Sequence, residues 1–198
     1  MNLANKLTIF RVILVPIMII IPFINIQGDL FGVTYTAIIL DAIFIIGAIT
    51  DKLDGYIARS RNQITNFGKF LDPIADKILV IVAMIILVEM GKLPSWIPSV
   101  VIFREFVVSG YRLIAVEAGG KVIAASIWGK LKTVTQMIAI IIAFIDVNSY
   151  GEFFKGNLSG FSLVINVLTT LIMTISVIAT IFSGWDYIKG GKELFKDM

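Results

Sequence analysis

The sequence contains no cysteine and no histidine. The first absence excludes disulfides, thiolate chemistry and cysteine-bound zinc. The second removes imidazole both as a base and as a metal ligand. Any metal held by these side chains must be a hard, oxygen-liganded ion such as Mg²⁺, Mn²⁺ or Ca²⁺. Charge is scarce as well: 16% of the 198 residues are charged, against about 25% in an ordinary soluble domain. Apolar residues take its place, at 58% of the chain with a mean hydropathy of +0.93. That much apolar surface exceeds what one core of this length can bury, so lipid is the solvent for much of it. A net charge of +3 gives no reason to expect a nucleic-acid partner.

Apolar stretches of spanning length recur along the chain. They predict an all-α integral membrane protein of one domain, residues 1–198, with six transmembrane helices at about 7–26, 33–50, 74–90, 96–116, 131–147 and 161–182. The first stretch has no small-residue cleavage site, so it reads as a true span. Lys and Arg set the orientation. One side would hold Lys6, Arg11, Lys52, Arg59, Arg61, Lys69, Lys77, Lys121, Lys130, Lys132, Lys189, Lys192 and Lys196, and the other only Lys92 and Lys155. This asymmetry predicts that both termini, the 51–76 segment and the 117–132 loop face the cytosol. Internal repeats are absent, which weighs against an inverted-repeat transporter.

The chemistry concentrates between residues 51 and 76. Asp51 and Asp54 are three residues apart, and Asp72 and Asp76 are four apart. On helices each spacing stacks two carboxylates on one face. An antiparallel hairpin of the second and third spans would bring the pairs together at the membrane edge. Four converging carboxylates repel one another unless cations neutralise them, and one or two divalent metals are the natural solution. Gly55, Ala58 and Gly68 leave space beside the carboxylates, and Arg59 offers a fixed cation for a phosphate oxygen. Pro73 disfavours helix at Asp72, so a start or kink of the third span is expected there.

These positions match the pattern D-x₂-D-G-x₂-A-R-x₈-G-x₃-D-x₃-D and resemble the CDP-alcohol phosphotransferase family. The resemblance implies a six-helix membrane fold, a homodimer and a divalent-metal site, with Mg²⁺ or Mn²⁺, at the cytosolic interface. It implies attack of an alcohol on the β-phosphate of a CDP-linked donor, with release of CMP. By position, Asp51, Asp54 and Asp72 resemble the metal ligands. Asp76 resembles the general base and is a further contact for a second metal. Gly55, Ala58, Arg59, Thr65 and Gly68 resemble the CDP-binding residues, joined near the first span by Asn5 and Thr8.

The acceptor must be read outside this motif. Arg104 and Arg112, eight residues apart in an otherwise apolar fourth span, share a helix face. Buried cations are costly and normally face partners inside the bundle. With Lys130 and Lys132 they form a candidate pocket for an alcohol that carries a phosphate. Alternatively, Arg104 pairs with an Asp of the metal site and the others are snorkelling anchors. Five stretches resemble the branch of the family that joins CDP-diacylglycerol to sn-glycerol 3-phosphate in the bacterial cell membrane: N-x-L-T-x-x-R from Asn5, the run Asn66–Lys77, R-E-F-x-V-x-G-x-R from Arg104, G-K-x-K-T from Gly129, and Ser183–Tyr187. Inositol phosphate or phosphatidylglycerol as acceptor keeps the same chemistry. An ion or proton transporter would instead spread its acidic residues through membrane depth. The orientation is testable by thiol labelling, because there is no background cysteine. A cysteine at Ser60 or Gly120 should react with impermeant reagents only from the cytosolic side, and one at Asn157 only from outside; the reverse pattern would overturn the orientation.

Overall fold

A computed structural model describes residues 3–24, 26–60, 66–117 and 126–190. Its frame is six long helices: α1 (Leu3–Ile20), α2 (Tyr35–Ser60), α3 (Asn66–Glu89), α4 (Trp96–Glu117), α5 (Ile127–Ile145) and α6 (Gly160–Gly190). Each expected span falls on one of them. Three are long and apolar enough to cross a membrane, over Asn5–Phe23, Ile127–Ile145 and Gly160–Lys189. The other three carry the charges singled out above: Asp51 and Asp54 on α2, Asp76 on α3, and Arg104 and Arg112 on α4.

Helices α2 and α3 depart from expectation at the motif. Helix α2 continues past Asp51 and Asp54 to Ser60, and α3 begins at Asn66 and passes through Asp72 and Pro73 without a break. The expected start at Pro73 is thus corrected to Asn66. An interior proline forfeits one backbone hydrogen bond, but the turns on either side of it hold the helix together. A hydropathy window ends where charge begins, whereas a helix does not.

The helices pack α1 against α2 and α3, α2 against α5, and α6 along α5 and α4. One apolar core joins them through Met18, Leu40, Phe44, Leu79, Met84, Leu87, Ile140, Phe144 and Met173, all buried. Large apolar side chains such as Phe103, Phe106 and Trp185 point outward instead, as expected for surfaces solvated by lipid. Between α1 and α2 lies a two-stranded hairpin, β1 (Asp29–Leu30) and β2 (Val33–Thr34). Its two turn residues, Phe31 and Gly32, both have positive φ (54° and 85°), the backbone of a tight primed turn.

One close approach sets the spacing of α2 and α3 near the motif. Gly47 lies one turn before Asp51, and a Cβ placed on it would sit 2.5 Å from Cδ2 of Leu79, which lies three residues beyond Asp76. Leu79 is almost fully buried, so it has little room to give way. Gly47→Leu should destabilise the fold by about 1–3 kcal/mol, the usual cost of overpacking. Because the added bulk lies one turn from both Asp51 and Asp76 and would spread the helices that carry them, activity should fall further than thermal unfolding in detergent accounts for. Wild-type turnover in a variant with a lowered Tm would show that this spacing does not govern the site.

Candidate active site

The aspartate motif is built around a residue from another helix. The Arg11 side chain on α1 is completely buried and reaches across to α2. Its Nη1 lies 2.9 Å from Oδ1 of Asp51, and its Nη2 donates to Oδ2 of Asp54 at 2.5 Å. Thr8, one turn before Arg11, donates its hydroxyl to the same Asp54 oxygen at 3.4 Å. A guanidinium without solvent is tolerable only where carboxylates face it, and here two do. Asp54 is buried, while the Asp51 side chain keeps 33% of its surface open. The pair is therefore anchored from one side and reachable from the other.

Across the hairpin, Asp76 on α3 has Asp51, Arg11, Lys132 and Glu105 as charged neighbours. Asp72 lies one turn before it on α3, but the Asp72 side chain is outside the described residues, as are those of Ala58 and Arg59. The surroundings of Gly55 and Gly68 and the whole of Thr65 also fall outside them. Among the described residues no group of three or more carboxylates converges to hold a metal. The described donors nonetheless suit a hard cation: paired carboxylate oxygens one helical turn apart, with no nitrogen or sulfur ligand in the chain. Asn5, one turn before Thr8, is buried with it.

Beside Asp76 opens a cavity of about 210 Å³. Its polar lining comes from α3 (Asp76, Lys77), α4 (Arg104, Glu105, Arg112), α5 (Lys132, Thr133, Gln136) and α6 (Tyr187). Glu105 gathers the cations. Its Oε1 accepts from Lys132 and, at 2.9 Å, from Nη1 of Arg104, while Lys77 Nζ lies 3.6 Å from Oε2. Arg104 also donates to the hydroxyl of Ser183, and Lys77 to that of Ser109. Arg112 donates to the Tyr187 hydroxyl at 2.6 Å. Both guanidinium groups face the Tyr187 ring, 5.7 Å and 5.4 Å from its centre, within cation–π range.

Of the four cations expected to face an acceptor, Arg104, Arg112 and Lys132 line this cavity and Lys130 does not; Lys130 is exposed. The two lysines are separated by about 200° around α5. Lys132 belongs to a buried stripe with Gln136, Ala139 and Ala143, whereas Lys130 shares a face with the exposed Val134 and Ile138. That periodicity was available in the sequence, since Gln136 is a polar residue one turn beyond Lys132 in an apolar stretch. Among the described residues Arg104 pairs with Glu105. Arg11, Lys77 and Glu105 belong to the site without having been assigned a place in it. For Arg11 the available signal was an arginine three residues after Thr8 in an apolar helix.

The shared guanidinium makes a specific prediction. Arg11→Met leaves two carboxylates facing each other, one of them buried, and should lower stability by about 3–5 kcal/mol, as loss of one partner from a buried pair does. Adding Asp54→Asn should restore part of that loss, giving a coupling energy of about 0.5–3 kcal/mol in a double-mutant cycle read by thermal unfolding in detergent. Strict additivity would mean that the contact carries no energy.

Known proteins resemble this chain in sequence over most of their length. The family model described as CDP-alcohol phosphatidyltransferase matches residues 1–182. A CDP-diacylglycerol–glycerol-3-phosphate 3-phosphatidyltransferase of Bacillus subtilis (strain 168) is 40% identical over 98% of this chain and 97% of its own. A protein of the same name from Haemophilus influenzae is 36% identical over 99% and 96% respectively. A probable phosphatidylglycerophosphate synthase of Mycobacterium tuberculosis (strain H37Rv) is 36% identical over 94% and 80%. With the family pattern matched by the model over most of the chain and by relatives end to end, this chain belongs to the CDP-alcohol phosphatidyltransferase family.

Proposed function

We propose that this chain transfers the phosphatidyl group of CDP-diacylglycerol to sn-glycerol 3-phosphate, giving phosphatidylglycerophosphate and CMP. The observation that carries the reading is the single cavity in which Asp76 faces Lys77, Arg104, Arg112 and Lys132. Those four cations stand against two carboxylates, Asp76 and Glu105, for a formal balance of 4 − 2 = +2. A phosphate monoester carries about −1.5 to −2 at neutral pH, so an acceptor's phosphate neutralises the surplus. At about 210 Å³ the space is below the roughly 300–1,000 Å³ of drug-sized sites, in keeping with a short polyol phosphate. The names of the Bacillus and Haemophilus relatives point to the same two substrates.

In this reading the guanidinium groups of Arg104 and Arg112 take the acceptor's phosphate. Tyr187 holds them in place, and Lys132 adds a point charge. Glu105 keeps the cations gathered until the acceptor arrives. The hydroxyl to be phosphorylated then lies toward Asp76, which accepts its proton. The freed oxygen bonds to the β-phosphorus, the bond from that phosphorus to the bridging oxygen breaks, and CMP departs. On the donor side, Gly55, Ala58, Arg59, Thr65 and Gly68 take the CDP moiety, with Asn5 and Thr8 flanking it from α1. Asp51, Asp54, Asp72 and Asp76 would hold one or two ions of Mg²⁺ or Mn²⁺. Such an ion supplies charge stabilisation for the pyrophosphate of the donor. Arg11 fixes the first two of these carboxylates. The whole chain acts as one catalytic domain of six membrane crossings, both termini and the site in the cytosol, in a homodimer of the bacterial cell membrane.

A two-substrate kinetic matrix on the purified protein, read by CMP release, tests this. Neutral replacement of Arg104, Arg112 or Lys132 removes a charge-assisted contact of about 1.5–3 kcal/mol. Acceptor KM or kcat/KM should therefore worsen roughly 10- to 150-fold with little change toward CDP-diacylglycerol. Arg59 variants should weaken the donor instead, and Lys130→Ala should stay near wild type. Glycerol, lacking the phosphate, should be a poor acceptor for wild type and less disfavoured in the cavity variants. EDTA should abolish turnover and Mg²⁺ or Mn²⁺ restore it. Cavity variants that alter donor affinity alone would remove the acceptor assignment.

A further inference from the structure

A second cavity lies at the opposite end of α2 from the aspartate motif. Asp41 precedes Asp51 by ten residues, about 15 Å along the helix. The cavity it lines measures about 520 Å³, with walls that include Phe31, Val33, Ile38, Phe144, Phe161 and Ile165. Two carboxylates break this apolar lining, Asp41 and Asp146. Their situations differ. Asp146 is fully served: Asn148 donates to its Oδ1 from both backbone and side chain, at 3.0 and 3.1 Å, and Asn166 to its Oδ2 at 2.9 Å. Asp41 is 93% buried, and among the described residues its Oδ1 has no hydrogen-bond partner. A buried acceptor left unpaired is destabilising, and such groups are uncommon enough to need a reason.

The neighbouring cation does not supply the missing partner. Lys92, between α3 and α4, donates to the carbonyl of Phe144 at 2.7 Å, near the C-terminus of α5. It lies within electrostatic reach of both carboxylates but forms an ion pair with neither. Burial pulls its ammonium down to about 8, with Asp146 and Asp41 pulling it back up. The polar end of the cavity thus has two carboxylates against one ammonium, a formal balance of −1.

We propose that this cavity is a binding site for an amphiphile with a primary ammonium head, whose nitrogen donates to Asp41 while its apolar body lies along the aromatic and aliphatic walls. The head supplies the donor that Oδ1 lacks and offsets the surplus charge. The body matches a lining with little other polar surface. An anionic amphiphile meets the wrong sign, and a neutral one leaves the charge unmatched.

The test uses the intact protein in an uncharged maltoside detergent, with dodecylammonium, dodecanol and dodecanoate as probes and native mass spectrometry as the readout. Dodecylammonium should form a saturable one-to-one adduct and dodecanoate none. Asp41→Asn should weaken the adduct at least about tenfold, the effect of one charge-assisted contact. Ile165→Trp, which fills the cavity and leaves both carboxylates in place, should also abolish it, and serves if the Asp41 variant does not fold. CMP release should be unchanged in Asp41→Asn. Two nanodisc preparations distinguish the source of the head: retention of phosphatidylethanolamine from a mixture with phosphatidylglycerol identifies a lipid, and binding of the free amine alone identifies a soluble amphiphile. Equal binding of dodecanol and dodecylammonium, or binding indifferent to Asp41→Asn, overturns the proposal. So does a shift in oligomeric state on Asp41→Asn without any change in amine binding, because the cavity would then seat a second copy of the chain.

Discussion

One guanidinium, buried where no water reaches it, holds the motif in shape. Arg11 bridges Asp51 and Asp54 from a neighbouring helix, so the closeness of these carboxylates is bought before any metal or substrate arrives. Two carboxylates a turn apart on a bare helix would turn away from each other or take up protons. A cation of fixed geometry between α1 and α2 faces both at once and holds them on one side of the helix. The same contact ties the first helix to the second, and α1 also packs on α3. The carboxylate pair therefore depends on a residue that sits on neither of the motif's own helices.

The cavity proposed for the acceptor poses the converse problem. Four cations from α3, α4 and α5 would repel one another in a site of small volume, and Glu105 supplies the common counter-charge. In the proposed reading, a phosphate entering the cavity would compete with Glu105 for Lys132 and Arg104 rather than find them bare. The Tyr187 ring performs a related service for Arg104 and Arg112, since a flat π-face accommodates two guanidinium groups without neutralising either.

Much of this was legible in the sequence, and the misses have physical causes. Six apolar stretches announced six helices because lipid solvation demands an unbroken run of apolar residues. Helix ends were less legible: α2 and α3 extend past the apolar runs to Ser60 and back to Asn66, where hydropathy no longer tracks helicity. The aspartates were found because their spacing is local. Arg11 and Glu105 were passed over because their roles arise only when α1 meets α2 and α4 meets α5, at sequence separations of 43 and 27 residues. Lys130 and Lys132 looked equivalent as charges, and only the helical period separates an inward lysine from an outward one.

The two ends of α2 display one rule with opposite signs. A buried charge must be balanced locally, because little solvent reaches it to do so. At the motif end the cavity lined by Asp76 and Glu105 carries two more cations than carboxylates, and the substrate proposed for it brings the missing negative charge. At the far end Asp41 and Asp146 outnumber Lys92, and among the described residues one carboxylate oxygen lacks a donor. Such a surplus calls for a ligand, water or a proton to complete it. The apolar walls around Asp41 leave little for water to bind, whereas an ammonium with an apolar body satisfies the oxygen and the walls together. The sign and position of the surplus thus name the ligand's head, and the lining names its body.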